Sequence, residues 1–222
     1  MWHRTGRHRV TAHDAAARLT EGYRESALGA YAHDVRTPLT AIQMLLDLAR
    51  DGDGGLHFDP ELASMLIASV DELQQLTDAL HEFSRLERGR LQVSRGPADL
   101  AAAMAAATER LAGRLRLSGA PAPAVSGPWD PDRLPRALGG LLLAADRAGE
   151  GSGTVRATWS VEPAAVHAVF ESGQEGGVPR SADADAGFAY YSGSALLRAM
   201  RGEADLRRTD RWCAVSITLP LT

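Results

Sequence analysis

The residues best placed to do chemistry lie in one segment, Ala32-His33-Asp34-Val35-Arg36-Thr37-Pro38-Leu39-Thr40-Ala41-Ile42. Histidine titrates near neutral pH and can serve as a nucleophile or a proton carrier, and Asp34 sets a carboxylate beside it. If Val35, Leu39 and Ile42 form a buried stripe of a helix, His33 points to solvent. Thr37 then lies one turn later on the same face, followed by Thr40. Pro38, inside the same helix, removes a backbone donor and frees the carbonyl of Asp34, which favours a bend. The plain alternative is a surface histidine beside a tolerated proline. Against it, an exposed histidine, an adjacent acid and a helix kink together are costly for structure alone.

The elements around this segment can be read from periodicity. From about Asp14 to Arg50, the residues Leu28, Ala32, Val35, Leu39, Ile42, Leu46 and Ala49 recur at alternating steps of four and three, a heptad seam. Asp51–Pro60 breaks it with glycines. That loop is no calcium site, because a ligand position falls on Gly55, the required glycine on Leu56 and the closing acid on Leu62. Asp59-Pro60 then starts a second helix, Asp as N-cap and Pro at the first turn. Leu62, Leu66, Ser69, Leu73, Leu76, Leu80 and Phe83 form its seam, and it stops at Gly89. Two amphipathic helices joined by a short glycine loop make an antiparallel hairpin. Alone it buries little, so pairing into a dimeric four-helix bundle, hence a homodimer, is expected.

After Leu91 the pattern changes. Ala98–Leu115 reads as an alanine-rich helix, and Asp130-Pro131 starts another that ends near Gly149. Val155, Ala157, Trp159 and Val161 alternate with polar residues, as do Val166, Ala168 and Phe170, and Cys213, Val215, Ile217 and Leu219. One-sided alternation implies a sheet covered on one face, giving a two-layer α/β sandwich. The expected organisation is a flexible basic tail at 1–14, the hairpin at 15–90 and the α/β domain at 91–222, an α+β chain. His3, His8 and His13 in the tail recur every five residues and share no helix face, so no metal site is expected there.

Composition narrows the chemistry. All 24 residues of the Lys+Arg total are arginine, which excludes a P-loop lysine, a Schiff base and a pyridoxal anchor. Gly149–Gly153 therefore reads as a plain connection rather than a phosphate loop. The net charge of −4 argues against a dedicated nucleic-acid binder. The single cysteine, Cys213, rules out an intrachain disulfide and suits a reducing compartment. No apolar stretch follows MWHRTGRHRV and no run approaches a membrane span, so a cytoplasmic protein without a membrane segment is expected.

His33, Asp34, Arg36, Thr37, Pro38 and Leu39 resemble the H-box of two-component histidine kinases, which sits on the first helix of a dimerisation and phosphoacceptor hairpin. The resemblance implies that His33 is the phosphoacceptor and that Asp34 orients or accepts the other ring proton. It implies that Thr37 matches the position orienting a water during dephosphorylation of a partner, and that Arg36 is solvated or contacts phosphate. The rest of the chain resembles the ATPase domain of the histidine kinase and gyrase type, through Asp130–Arg147 at the N-box helix and Ser216–Leu221 at the closing strand.

Its nucleotide chemistry is eroded. The family's N-box asparagines fall on Gly140 and Ala144, which hold neither magnesium nor phosphate, leaving Arg147 as the basic remnant. The adenine-binding box falls on Glu171–Gly177, with Glu171 and Gly173 but no aspartate and displaced glycines. The later glycine box falls on Gly193–Leu197 and keeps one glycine. Between them, Val178–Ser192 is short for a nucleotide lid and carries Asp183 and Asp185.

No tightly bound cofactor and no ATP are therefore expected, magnesium being supplied by a partner. The expected function is a histidine phosphotransferase that relays phosphoryl groups between response-regulator receiver domains through His33. The alternatives are an active kinase with a divergent ATP site, a non-catalytic pseudokinase that binds a kinase or regulator, and a phosphatase acting through Thr37.

Overall fold

The computed structural model describes residues 12–50, 55–149, 151–173, 186–208 and 213–222. Helix α1 (Ala12–Ala49) and helix α2 (Pro60–Glu87) form the expected antiparallel hairpin. Helix α1 begins at Ala12, so part of the segment expected to be a tail is helical. The remaining tail residues, His3 and His8 among them, lie outside the described residues, as does part of the 51–60 loop. Asp59 caps α2 by accepting from Leu62 N at 2.8 Å, with Pro60 at the first turn.

The α2 seam is as its spacing predicts: Leu62, Leu66, Leu73, Leu76 and Leu80 are half-buried and Phe83 is buried. The α1 seam is not. The buried stripe is Ala27, Ala30, Asp34, Pro38, Leu45 and Ala49, while Leu28 and Leu39 are exposed. Helix α1 carries two adjacent stripes, and the smaller side chains face inward because they allow close approach of two helices. Leu28 and Leu39 are left on the outside, whereas Leu45 is buried.

A second domain follows. Strand β1 (Gly96–Asp99) pairs antiparallel with β3 (Ser126–Trp129). Strands β2 (Arg116–Gly119), β4 (Thr154–Val161), β5 (Ala165–Ser172), β6 (Glu203–Arg208) and β7 (Cys213–Pro220) form a five-stranded sheet in the order β2-β4-β5-β7-β6. The β2–β4 pair is parallel and the rest are antiparallel. Helices α3 (Leu100–Arg110), α4 (Leu134–Ala148) and α5 (Gly187–Ala199) complete the layer. Val155, Ala157, Val166, Ala168, Phe170, Val215, Ile217 and Leu219 bury one sheet face against Leu138, Leu141 and Leu142 of α4 and residues of α3 and α5.

The two-layer sandwich is thus as expected, with two differences at helix starts. Asp99 accepts from Ala102 N at 2.7 Å, so α3 begins at Leu100 and Gly96–Asp99 are free to pair as a strand. Asp130 accepts from the amides of Asp132 and Arg133, each at 3.1 Å, and holds a turn ahead of α4. Among the described residues no helix is long and apolar enough to cross a membrane.

The two domains share a core. Phe188 and Ala195 of α5 pack with Ala27 and Ala30 of α1 and Phe83 of α2, flanked by Tyr23, Tyr31 and Tyr191. Phe188 meets Tyr31 and Phe83 edge-on at 5.3 and 5.5 Å. Arg133, at the N-cap position of α4, and Arg136 of α4 pair with Glu82 of α2 at 3.1 and 3.3 Å. Each fully buried aromatic is worth about 1.5–3 kcal/mol, so the aromatic cluster carries much of the apolar contact between the domains.

Candidate functional site

His33 lies on the outer surface of α1 with its side chain 69% exposed, as its position relative to the apolar stripe requires. Arg36 and Thr37 are also exposed. Thr40 Oγ1 donates to the carbonyl of Arg36 at 2.9 Å, so this hydroxyl is committed to its own helix. Pro38 is buried inside the helix, which continues past it.

Asp34 behaves differently from its neighbours. Its side chain is 4% exposed and points into the junction between the domains. Oδ2 accepts from Arg147 Nη1 of α4 at 2.6 Å and from the amide of Phe188 at 2.9 Å, in the first turn of α5. Oδ1 lies 3.6 Å from His33 Nδ1. A buried carboxylate is tolerated only when its charge and lone pairs are met, and here a guanidinium and a helix N-terminal amide meet them. Gly187 makes the contact possible. It has a φ of +72°, and a Cβ there would collide with the Arg147 guanidinium and stand 2.9 Å from Asp34 Oδ2.

Arg147 was expected only as the basic remnant of an eroded N-box. It places instead a cation on the H-box acid. Phe188 and Gly187 were not singled out, although Phe188, Tyr190 and Tyr191 stand out in a chain with only 5% aromatics. Such a cluster at the start of a helix signals a packing face.

Among the described residues, the other expected site positions pack against neighbouring helices and strands. A Cβ on Gly140 would lie 2.9 Å from the carbonyl of Ala189 and 3.6 Å from Gly193 Cα. A Cβ on Gly193 would lie 3.0 Å from the carbonyl of Ala137 and 3.0 Å from Leu141 Cγ. Helices α4 and α5 are thus in backbone contact at the two glycines. Ala144, one turn on, is fully buried with Ala148, Ala186 and Cys213. Gly140, Ala144 and Gly193 offer no side-chain oxygen with which to hold magnesium.

The glycine box expected at Gly193–Leu197 lies inside α5 rather than in a loop, and Phe188–Ser192, taken as part of a lid, belong to the same helix. Glu171 is half-buried in β5, paired with Arg156 and Ala214 across the sheet, and Gly173 follows that strand. Residues 174–177 of the adenine box, Asp183 and Asp185 lie outside the described residues. Among the described residues no group of three or more histidine, cysteine or acidic side chains could hold a metal ion.

Two further groups carry the electrostatics of the junction. Tyr23 donates its hydroxyl to the carbonyl of Tyr191 at 3.0 Å, and burial pushes its pKa up to about 12 despite Arg198 over its ring. Asp130 is buried. Burial alone would raise its pKa, but hydrogen bonds from the Arg133 side chain at 2.6 Å and the Ser94 amide at 2.9 Å outweigh that and hold it below the ordinary value.

Comparison with known proteins bears on this geometry. Residues 23–89 match the His Kinase A (phospho-acceptor) domain. The chain is 33% identical over 115 residues to the signal transduction histidine-protein kinase BaeS of Escherichia coli (strain K12), a match covering 50% of this chain. It spans only 24% of that relative's length. Among solved structures, the histidine kinase AdeS of Acinetobacter baumannii superposes with a TM-score of 0.64 at 20% identity, covering 86% of this chain and 98% of that one. The histidine kinase ThkA, solved in complex with the response regulator TrrA, gives a TM-score of 0.55 at 15% identity, over 86% of this chain and 60% of that one. At these identities the structural likenesses speak for the fold.

Proposed function

This chain belongs to the histidine kinase family through the phosphoacceptor domain at residues 23–89, and from that premise we propose that it is a histidine phosphotransferase. His33 takes a phosphoryl group from the aspartyl-phosphate of one receiver domain and passes it to another, without ATP. The observation that carries this reading is a contrast within one molecule. His33 stands exposed on α1 with Asp34 beside it, while Gly140 and Gly193 bring α4 and α5 together where a nucleotide would need space.

The chemistry asks little of the protein beyond position. Neutral imidazole is a competent nucleophile near neutral pH, and the phosphoramidate it forms transfers onward readily. Magnesium and the acidic pocket belong to the receiver. A fixed helix holding the histidine in solvent supplies the alignment such a transfer needs. That ThkA was solved with a response regulator supports a receiver as the partner class.

A homodimer is part of the proposal. Leu28, Leu39, Met44, Leu48, Met65, Ile67 and Val70 are exposed along the hairpin, an apolar surface that a second hairpin would bury in a four-helix bundle.

The test is incubation of the purified chain with phosphorylated receiver domains, and separately with labelled ATP and magnesium. Label should move from receiver to wild type and not to His33→Ala, and none should come from ATP. ATP-derived label on wild type, absent from His33→Ala, would establish the kinase reading, which the matching H-box and the kinase relatives favour. Failure of any receiver to transfer would favour a non-catalytic role.

A further inference from the structure

Asp34 of the H-box is held by groups of the second domain, and the geometry points to Arg147 as a positioning residue for His33. This rests on the reading of His33 as the phosphoacceptor. Arg147 and the Phe188 amide fix Oδ2 of Asp34, and the remaining oxygen, Oδ1, is left on the side of His33 Nδ1. The second domain thus contributes to the phosphoacceptor site instead of to a nucleotide site.

Three features agree with this. The first is economy: with two donors on Oδ2, the carboxylate cannot rotate without breaking a 2.6 Å charge-assisted bond. The second is Gly187, whose missing side chain and left-handed backbone leave the room that Arg147 and Asp34 occupy. The third is exposure. Arg147 is 38% exposed, and the buried part of the contact is the carboxylate it holds. A histidine whose ring N–H is held by an oriented carboxylate presents its other nitrogen with a free lone pair, the arrangement that fixes tautomers in catalytic histidines generally.

The transfer step shows why this matters. The Nε2 lone pair of neutral His33 attacks phosphorus, the bond from phosphorus to the receiver's carboxyl oxygen breaks, and its electron pair leaves on the receiver's carboxylate. No proton moves. The ring becomes cationic, its N–H on Nδ1 faces Oδ1 of Asp34, and the anchored carboxylate stabilises that charge as it develops. The present 3.6 Å separation shortens to a hydrogen bond as the ring gains charge, since such contacts are commonly long before reaction.

Two readouts on the whole chain test the inference. One is NMR of the His33 imidazole nitrogens at about pH 8, where an ordinary imidazole is neutral. The other is the rate of phosphoryl uptake from the small donor phosphoramidate, whose leaving group is ammonia. Wild type should show the Nδ1–H tautomer. Arg147→Gln should mix tautomers and slow uptake by roughly tenfold to a hundredfold, the usual cost of losing a partner that orients a histidine. Arg147→Lys should recover part of both, and Gly187→Ala, which drives a methyl into the guanidinium, should repeat the loss.

Glu82→Gln removes the separate ion pairs with Arg133 and Arg136 and should change neither readout. A wild-type spectrum in Arg147→Gln would overturn the inference. So would uptake that is unchanged or faster, which would make the contact a restraint on His33, or an equal effect in Glu82→Gln, which would reduce it to domain docking. If even wild type takes up no phosphoryl group, the phosphoacceptor reading fails, and the tautomer comparison still decides the role of Arg147.

Discussion

The hairpin and the second domain treat their family motifs in opposite ways. On α1 the side chains of His33 and Thr37 stand out into solvent and make no packing contribution that would fix their identity. On α4 and α5 the motif positions have become the packing itself. Gly140 and Gly193 let two helices meet backbone to backbone, and Ala144 fills a core position. Small apolar residues at these positions pack closely and carry no polar groups that burial would leave unsatisfied.

This contrast can be broken by experiment. The largest effect is expected from His33→Ala, which should abolish phosphoryl uptake while leaving thermal stability within about 0.5 kcal/mol, as for an exposed substitution. Restoring the family's residue in the other domain should do the reverse. Ala144→Asn buries an unpaired amide in a full core and should cost about 2–5 kcal/mol, read as a lowered denaturation midpoint, with no nucleotide binding gained by calorimetry. Binding of nucleotide by that variant would dissolve the contrast.

Asp130 sharpens it with pH. Its carboxyl is held below the ordinary value by Arg133 and backbone amides, so the folded state binds fewer protons than the unfolded one. The stability it contributes is complete above about pH 4 and is lost as pH falls through the depressed value. Asp130→Asn should lower stability near neutral pH by about 1–3 kcal/mol and flatten the acid limb of a denaturation series. Smallest are the two helix caps. Asp59→Ala on the hairpin and Asp99→Ala on the second domain should each cost about 1 kcal/mol in urea denaturation. Equal losses would show that the domains unfold as one unit through their shared aromatic core, and separate transitions would show that they do not.

Much of this was legible in the chain. The hairpin followed from the heptad steps and from Asp59-Pro60, the sheet core from alternation in β4, β5 and β7, and the exposure of His33 from its offset to the apolar stripe. The α1 seam was off by one position because two adjacent stripes were both apolar, and periodicity cannot rank them. The larger Leu28 and Leu39 looked like core, yet the small Ala27 and Ala30 were buried, because only they admit α5. Strands β1, β2 and β3 were not named because each is four residues long, too short for an alternation to register, and the six-residue β6 (Glu203–Arg208) was not named either.

What sequence alone determined was local: helix spacing, caps, alternation and the H-box string, all set by residues within a few turns of one another. The pairing of Asp34 with Arg147, 113 positions away, and with the Phe188 amide, 154 away, was decided only in three dimensions. Neither partner carries a periodic mark of the other. A buried charge takes whatever donors the packed domains bring to it, and that depends on how α5 seats against the hairpin.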